Sequence, residues 1–153
     1  MRRKDRQIST AEALEIVDKC AYSVMSMVRA DGSPYAVPFS PVRVNDGLYF
    51  HCAAKGEKLD ALRLNPEVCV VCVGDVVPAA DKFTTAYESA IIRGRAGRVT
   101  GEDEKKKALC AICRRYTPEN MAAFDKAIER SLARTDVWRI AIESVTGKRK
   151  KLK

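Results

Sequence analysis

Tyr49-Phe50-His51-Cys52-Ala53-Ala54-Lys55-Gly56-Glu57-Lys58-Leu59-Asp60-Ala61-Leu62-Arg63-Leu64-Asn65-Pro66 is the stretch in which the chain changes its period. Tyr49 to Ala53 is short, apolar and aromatic, as in a strand that ends in small residues. Gly56 to Leu64 places Leu59, Leu62 and Arg63 at helical spacing, and Asn65-Pro66 stops the helix. A strand followed at once by a glycine and a helix leaves unpaired amides and the positive end of a helix dipole at the junction. Lys58 adds a full positive charge to that first turn, so the junction is a candidate phosphate cradle. By itself the signal is modest, since a first-turn lysine is more often simply exposed.

Upstream, Ser9-Thr10-Ala11-Glu12 is a capping box that opens a helix running to about Lys19, with Leu14 and Val17 among its buried positions. Tyr22 to Val28 is strand-like, and Asp31-Gly32 is a hairpin turn. Tyr35 to Val44 forms the next strand and carries Pro38 and Pro41. Proline donates no ladder hydrogen bond, so this strand belongs at an edge or bears a bulge, with backbone groups left over. Asn45-Asp46-Gly47 turns the chain into Leu48 to Ala53.

Downstream, Val68-Cys-Val-Val-Cys-Val73 is an apolar β-branched run expected to be a buried strand. Asp75 to Asp81 is expected to be a loop around Pro78. Phe83 to Val99 is a long extended segment in which Gly94 and Gly97 predict a bend or a close backbone approach. Glu102 to Tyr116 has an apolar helical face of Ala108, Leu109, Ile112, Cys113 and Tyr116. Thr117-Pro118 then opens a second helix by the N-cap rule, with Met121, Phe124, Ile128 and Leu132 at steps of three and four. Asp136 to Val145 is the final strand. About six strands with inserted helices do not give the regular alternation of a doubly wound sheet. The pattern predicts a mainly β (α+β) domain over residues 1–153, a six-stranded antiparallel barrel with flanking helices.

The 153 residues suffice for one hydrophobic core, and 46% apolar with 31% charged residues is ordinary for a folded soluble chain. No segment approaches the roughly 20 apolar residues that cross a bilayer. The basic N-terminus has no apolar run behind it, so no membrane partner and a cytoplasmic address are expected. The formal charge of +8 comes from the ends. Without Arg2, Arg3, Lys4, Arg6 and the five cations among residues 148–153, and without Asp5, the body holds 19 basic and 19 acidic residues. Basic tails at 1–6 and 148–153 are most simply solvated ends, and a nucleic-acid partner ranks behind that explanation.

Two C-x-x-C pairs have the spacing of zinc ligands, but their settings oppose a metal site. Cys69 and Cys72 lie three apart on a strand, where side chains point to opposite faces. Cys110 and Cys113 lie on the apolar face of a helix, where cysteine behaves as a small hydrophobe. Buried, reduced thiols and no bound metal are expected. His51 is the single histidine, and the catalytic fingerprints for serine hydrolases, P-loops, dinucleotide folds and zinc proteases are missing.

The succession Pro34-Tyr35-Ala-Val-Pro38-Phe39-Ser40-Pro41-Val42, Tyr49-Phe-His51-Cys52-Ala53, Gly56-Glu-Lys58-Leu-Asp60, Arg63-x-Asn65-Pro66 and Phe83-Thr-Thr-x-Tyr87-Glu-Ser89 resembles the pyridoxamine 5'-phosphate oxidase-like FMN-binding split barrels. Within them it is similar to the branch that includes 5-nitroimidazole antibiotic resistance proteins. The resemblance runs from the first helix to Thr146-Gly147. It implies a homodimer with FMN in two grooves between the subunits. Gly56 and Lys58 would hold the phosphate. Pro38, Phe39, Ser40, His51, Cys52 and Ala53 would border the ribityl chain and ring, and Tyr87 and Ser89 would approach from the long strand or across the dimer.

The activity so implied is oxidoreductase (nitroreductase-like) chemistry on a small-molecule substrate, possible nitroaromatics included, with NAD(P)H binding transiently. His51 is the candidate catalytic residue, because histidine as a residue type can give up a proton near neutral pH; a half-buried polar residue at a strand end is the equal alternative. Tyr87 and Trp138 can equally be packing residues, Trp138 in the core or a dimer interface. Arg93 and Arg95 share a strand face, with surface charge pairing preferred to phosphate contact. The rival readings are a flavin-storing protein without turnover, a true pyridoxamine-phosphate oxidase, and a split barrel holding haem or a deazaflavin.

Overall fold

Alternating burial in Glu67–Ala79, Thr84–Arg98 and Asp136–Lys150 produces three long strands, β6, β7 and β8, at the centre of the protein. The computed structural model describes residues 2–152. The shorter strands are β1 (Gln7–Ile8), β2 (Ser23–Val28), β3 (Pro34–Phe39), β4 (Val42–Val44) and β5 (Gly47–Cys52). The order is β3-β2-β6-β7-β8-β5-β4, all neighbours antiparallel, with β1 paired to β8.

That order forces closure. β3 and β4 stand at opposite edges, six inter-strand steps apart, which in a flat sheet is about 29 Å at ~4.8 Å per step. Yet Phe39 ends β3 and Val42 begins β4, and three Cα steps reach about 11 Å at most. The sheet must curl until its edges meet, which makes a barrel split along the β3/β4 seam. Pro41 is fully buried there, and its carbonyl accepts a 2.7 Å hydrogen bond from the Tyr116 hydroxyl. The expected strand from Tyr35 to Val44 is therefore two strands on two edges. That break and the short β1 raise the count from six to eight.

Three other expectations change. The segment expected as a loop over Asp75–Asp81 is largely strand, because a bulge between Val73 and Val76 lets β6 continue to Ala79. The last strand runs past Val145 to Lys150, so Lys148, Arg149 and Lys150 are ladder residues rather than tail. The helix expected at Thr117-Pro118 is a 3-10 segment, Pro118–Ala123, followed by α4 (Phe124–Ser131). The Thr117 side chain does not cap it; its hydroxyl donates to the Cys113 carbonyl instead. Gly94 sits at a β7/β8 bulge where any side chain would run into the Ala141 carbonyl, whereas Gly97 faces open space.

Among the described residues four α-helices surround the sheet. α1 (Thr10–Lys19) has the predicted capping box, but its buried stripe is Ala13, Ile16 and Val17, with Leu14 half-buried. α2 (Glu57–Leu64) buries Leu59, Ala61 and Leu62. α3 (Glu102–Tyr116) and α4 cover the outer side of β5 and β8, where Val99, Ala108, Leu109 and Val137 form a second apolar cluster. The main core fills the barrel around Met25, Leu48, Phe50, Val70, Ile92 and Ile140. Of the C-x-x-C thiols only Cys72 is buried; Cys69, Cys110 and Cys113 are half-buried, and all are free. No helix among the described residues is long and apolar enough to cross a membrane. No cluster of three metal-ligating side chains occurs among them.

One buried carboxylate ties these elements together. Glu88 on β7, with a side chain 7% exposed, pairs with Lys19 of α1 and, at 3.0 Å, with Arg149 of β8. Its Oε1 accepts the Asp75 amide at the β6 bulge, and Arg149 continues to Glu12 at 2.7 Å. Burial pushes the Glu88 carboxyl upward, but the hydrogen bonds from Lys19, Arg149 and the Asp75 amide outweigh it and hold its pKa below the ordinary 4.5. A carboxyl lowered by folding stabilises the protein above its ordinary pKa and loses that contribution as pH falls through the folded value. Glu88→Ala should therefore cost about 2 kcal/mol at neutral pH, and the difference from the parent should shrink below about pH 4.5. Urea melts at the two pH values check this; an equal deficit at both would contradict the assignment.

Candidate functional site

The cradle predicted at Gly56 forms because α2 starts without a side-chain cap. Gly56 has φ +138°, a conformation open to glycine, and its carbonyl accepts from the Leu59 and Asp60 amides. The Glu57 and Lys58 amides are thus at the helix's unsatisfied end. The two first-turn carboxylates that would repel an anion are each neutralised, Glu57 by Arg29 at 2.5 Å and Asp60 by Arg63 at 3.1 Å. Lys58 has no carboxylate partner among the described residues. The residue is half-buried, and its ammonium lies 5.1 Å from the centroid of the Phe50 ring, a cation–π contact. Phe50 in turn meets Phe39 edge-on at 5.3 Å across the seam.

Cys52 completes this group. Burial pushes its thiol up, Lys58 pulls it down, Asp136 raises it again, and Arg63 and Arg98 oppose Asp136; the result lies above the ordinary 9.0. Cys52 is therefore a protonated wall residue at neutral pH rather than a nucleophile. Asp136 is buried opposite Cys52 and pairs with Arg98 at 2.7 Å. Trp138, opposite Phe50 on β8, has a buried indole N–H with no partner among the described residues.

The structure gathers Phe39, Cys52, Gly56 and Lys58 of the expected site, with Pro38 and Ser40 exposed beside the seam and Ala53 exposed at the strand's end. Among the described residues β3 pairs only with β2, so its outer edge carries no ladder, as its prolines suggested. His51 points away from Phe50 and Cys52 by strand alternation; it is exposed and has no side-chain partner among the described residues. Tyr87 and Ser89 stand elsewhere. Their strand is three steps from β3 across β2 and β6, a lateral separation of about 14 Å. Tyr87 accepts a 3.4 Å hydrogen bond from Arg6 instead. Arg95 pairs with Glu67, the surface pairing expected for that strand face.

Phe50, Arg63, Arg98 and Asp136 were not expected at the site. A signal existed for Asp136, an acidic residue opening an otherwise apolar strand, but its partner Arg98 depends on β7/β8 register. Gly56→Ala meets no atom within 4 Å but must hold a positive φ, so it should lose about 1 kcal/mol. An unchanged urea midpoint would contradict the strained cradle.

No curated protein matches the chain in sequence, but solved structures do. A candidate 5-nitroimidazole antibiotic resistance protein of Bacteroides thetaiotaomicron shares 26% identity at a TM-score of 0.78, over 93% of this chain and 85% of that one. The FAD and heme binding protein of Mycobacterium smegmatis shares 27% identity at a TM-score of 0.81, over 96% of this chain and 74% of that one. A FAD-binding protein of Mesorhizobium loti, 20% identical at a TM-score of 0.70 over 95% and 98% of the two chains, shares the fold. The family described as pyridoxamine 5'-phosphate oxidase matches residues 9–149, from the capping box to the penultimate residue of β8, and this chain belongs to that flavin-binding split-barrel family.

Proposed function

We propose that the protein binds FMN with its phosphate at the start of α2, and that it reduces a small, nitroaromatic-type substrate as a homodimer. The observation that carries this reading is Lys58, a half-buried residue with an aromatic neighbour and no carboxylate partner among the described residues, at a helix start without a side-chain cap. Family membership supports the flavin, and the similarity to the Bacteroides protein supports the substrate class. The FAD named for two relatives makes the cofactor's length the open choice. The cradle needs only a terminal phosphate, which favours FMN.

The flavin supplies the electron chemistry. Lys58 and the α2 amides anchor its phosphate, Pro38 to Ser40 offer the unpaired backbone of β3, and Phe39 and Phe50 keep water from the seam. His51, which faces away from Phe50 and Cys52, would give a proton only to a reduced substrate bound across the dimer on the exposed side of β5. The homodimer draws on the outer face of the β6–β7 hairpin, where Val73, Val76 and Ile91 are exposed, with Phe83 exposed at the hairpin's tip. Dimerisation through that face would carry Tyr87 and Ser89 toward the partner's groove. NAD(P)H is a transient donor.

Lys58→Gln should weaken FMN binding by about tenfold to a hundredfold, the worth of one charge-assisted hydrogen bond. Riboflavin, which lacks the phosphate, should bind both forms alike. Equal FMN affinity for the two forms would move the phosphate away from α2. His51→Gln should keep its FMN and lose about a hundredfold in turnover with a nitroaromatic acceptor; full turnover would remove the proton-donor role.

A further inference from the structure

The basic residues at the two ends of the sequence are not separate tails. β1 pairs with β8, placing Gln7 opposite Lys148 and Ile8 opposite Gly147, so the two cationic segments lie side by side. Between them and the tip of the β6–β7 hairpin is a cavity of about 640 Å³, the size of a small-molecule site. Its walls carry Arg3, Arg6, Lys82, Arg149, Lys150 and Lys151 against two carboxylates, Asp5 and Glu12.

Both carboxylates are already engaged. Asp5 pairs with Arg3 at 2.6 Å and Glu12 with Arg149 at 2.7 Å. Arg6 reaches Asp5 only at 3.9 Å, Lys150 donates to the Thr84 hydroxyl, and Lys151 has no partner among the described residues. Three cations therefore face one cavity without a close carboxylate among the described residues. Thr84 and Gln7 add neutral polar groups, and Ile8 and Leu152 add an apolar strip.

We propose that this cavity binds a nucleotide carrying at least two phosphates, at a site separate from the flavin cradle. The cations match clustered anionic oxygens, because guanidinium and ammonium groups bind phosphate by charge-assisted hydrogen bonds. A single orthophosphate would occupy a small part of the volume. The apolar strip and the guanidinium planes suit a base and sugar. A concave site fits a small ligand, whereas nucleic acid is met by a face that tracks evenly spaced phosphates. Arg149 stays committed to Glu12 and Glu88 and serves as a fixed wall.

Titration of the full chain with ADP, followed calorimetrically, tests the proposal. ADP should bind once per chain, at least about tenfold more tightly than orthophosphate, and should weaken about tenfold as salt rises from ~50 to ~300 mM. Arg6→Gln/Lys150→Gln/Lys151→Gln should abolish ADP binding while keeping the parent's circular dichroism and flavin content. Lys151→Gln alone, at an exposed position, should weaken it severalfold and guards against a folding defect. Lys58→Gln should leave ADP binding intact, which separates this site from the cradle. Orthophosphate binding as tightly as ADP would reduce the cavity to an adventitious ion only. Retained ADP affinity in the triple variant, or a short DNA duplex that binds tightly and is not displaced by ADP, would overturn the proposal.

Discussion

The two residues between Phe39 and Val42 impose the constraint on which the rest of the structure depends. They must carry the chain from one edge of the sheet to the other, and Pro41 has no amide with which to continue the β3 ladder. The sheet closes because those edges cannot separate. Closure brings Phe39 against Phe50, places the start of α2 over Phe50, and leaves the outer backbone of β3 unpaired beside it. The Tyr116 hydroxyl on the Pro41 carbonyl shows that α3 is fitted to the crossing itself. Seam and candidate site are thus the same feature: a barrel that did not split here would have no groove beside Lys58.

Charge is handled differently in three places. At the Glu88 end, carboxylates and cations are matched across α1, β6, β7 and β8, which ties the framework together. At the other end, Arg98 neutralises the buried Asp136. Lys58 has no ion pair among the described residues, while its acidic neighbours Glu57 and Asp60 are occupied by arginines. A lone cation, partly desolvated and set beside helix amides, is stabilised by an anion that the chain itself does not provide. The same contrast between matched and unmatched cations distinguishes Arg149 from Arg6, Lys150 and Lys151.

Much of this was legible in local sequence. Ser9 and Glu12 announce a capping box, Gly56 and Asn65-Pro66 bracket α2, and the prolines at 38 and 41 announce an edge. What stayed hidden depended on partners distant in sequence. A strand with two prolines reads as irregular, but only the strand order reveals that it serves opposite edges. Val76 to Ala79 read as loop because Pro78 and Asp75 weigh against a strand, and pairing with Thr84 to Tyr87 overrides them. Lys148 to Lys150 read as a solvated tail because charge says nothing about ladder partners; Tyr87 to Ser89 supply those partners. Similarly, Tyr87 and Ser89 belong to the quoted motif, yet register sets them away from Lys58 within one chain.

The central claim is a flavin held at the split of the barrel. It is tested most directly by the absorption spectrum of the protein as isolated, with mass identification of the cofactor released on denaturation. The account predicts the two visible bands of a bound flavin and the mass of FMN. A haem Soret band, or a colourless protein that takes up no added FMN, would contradict it.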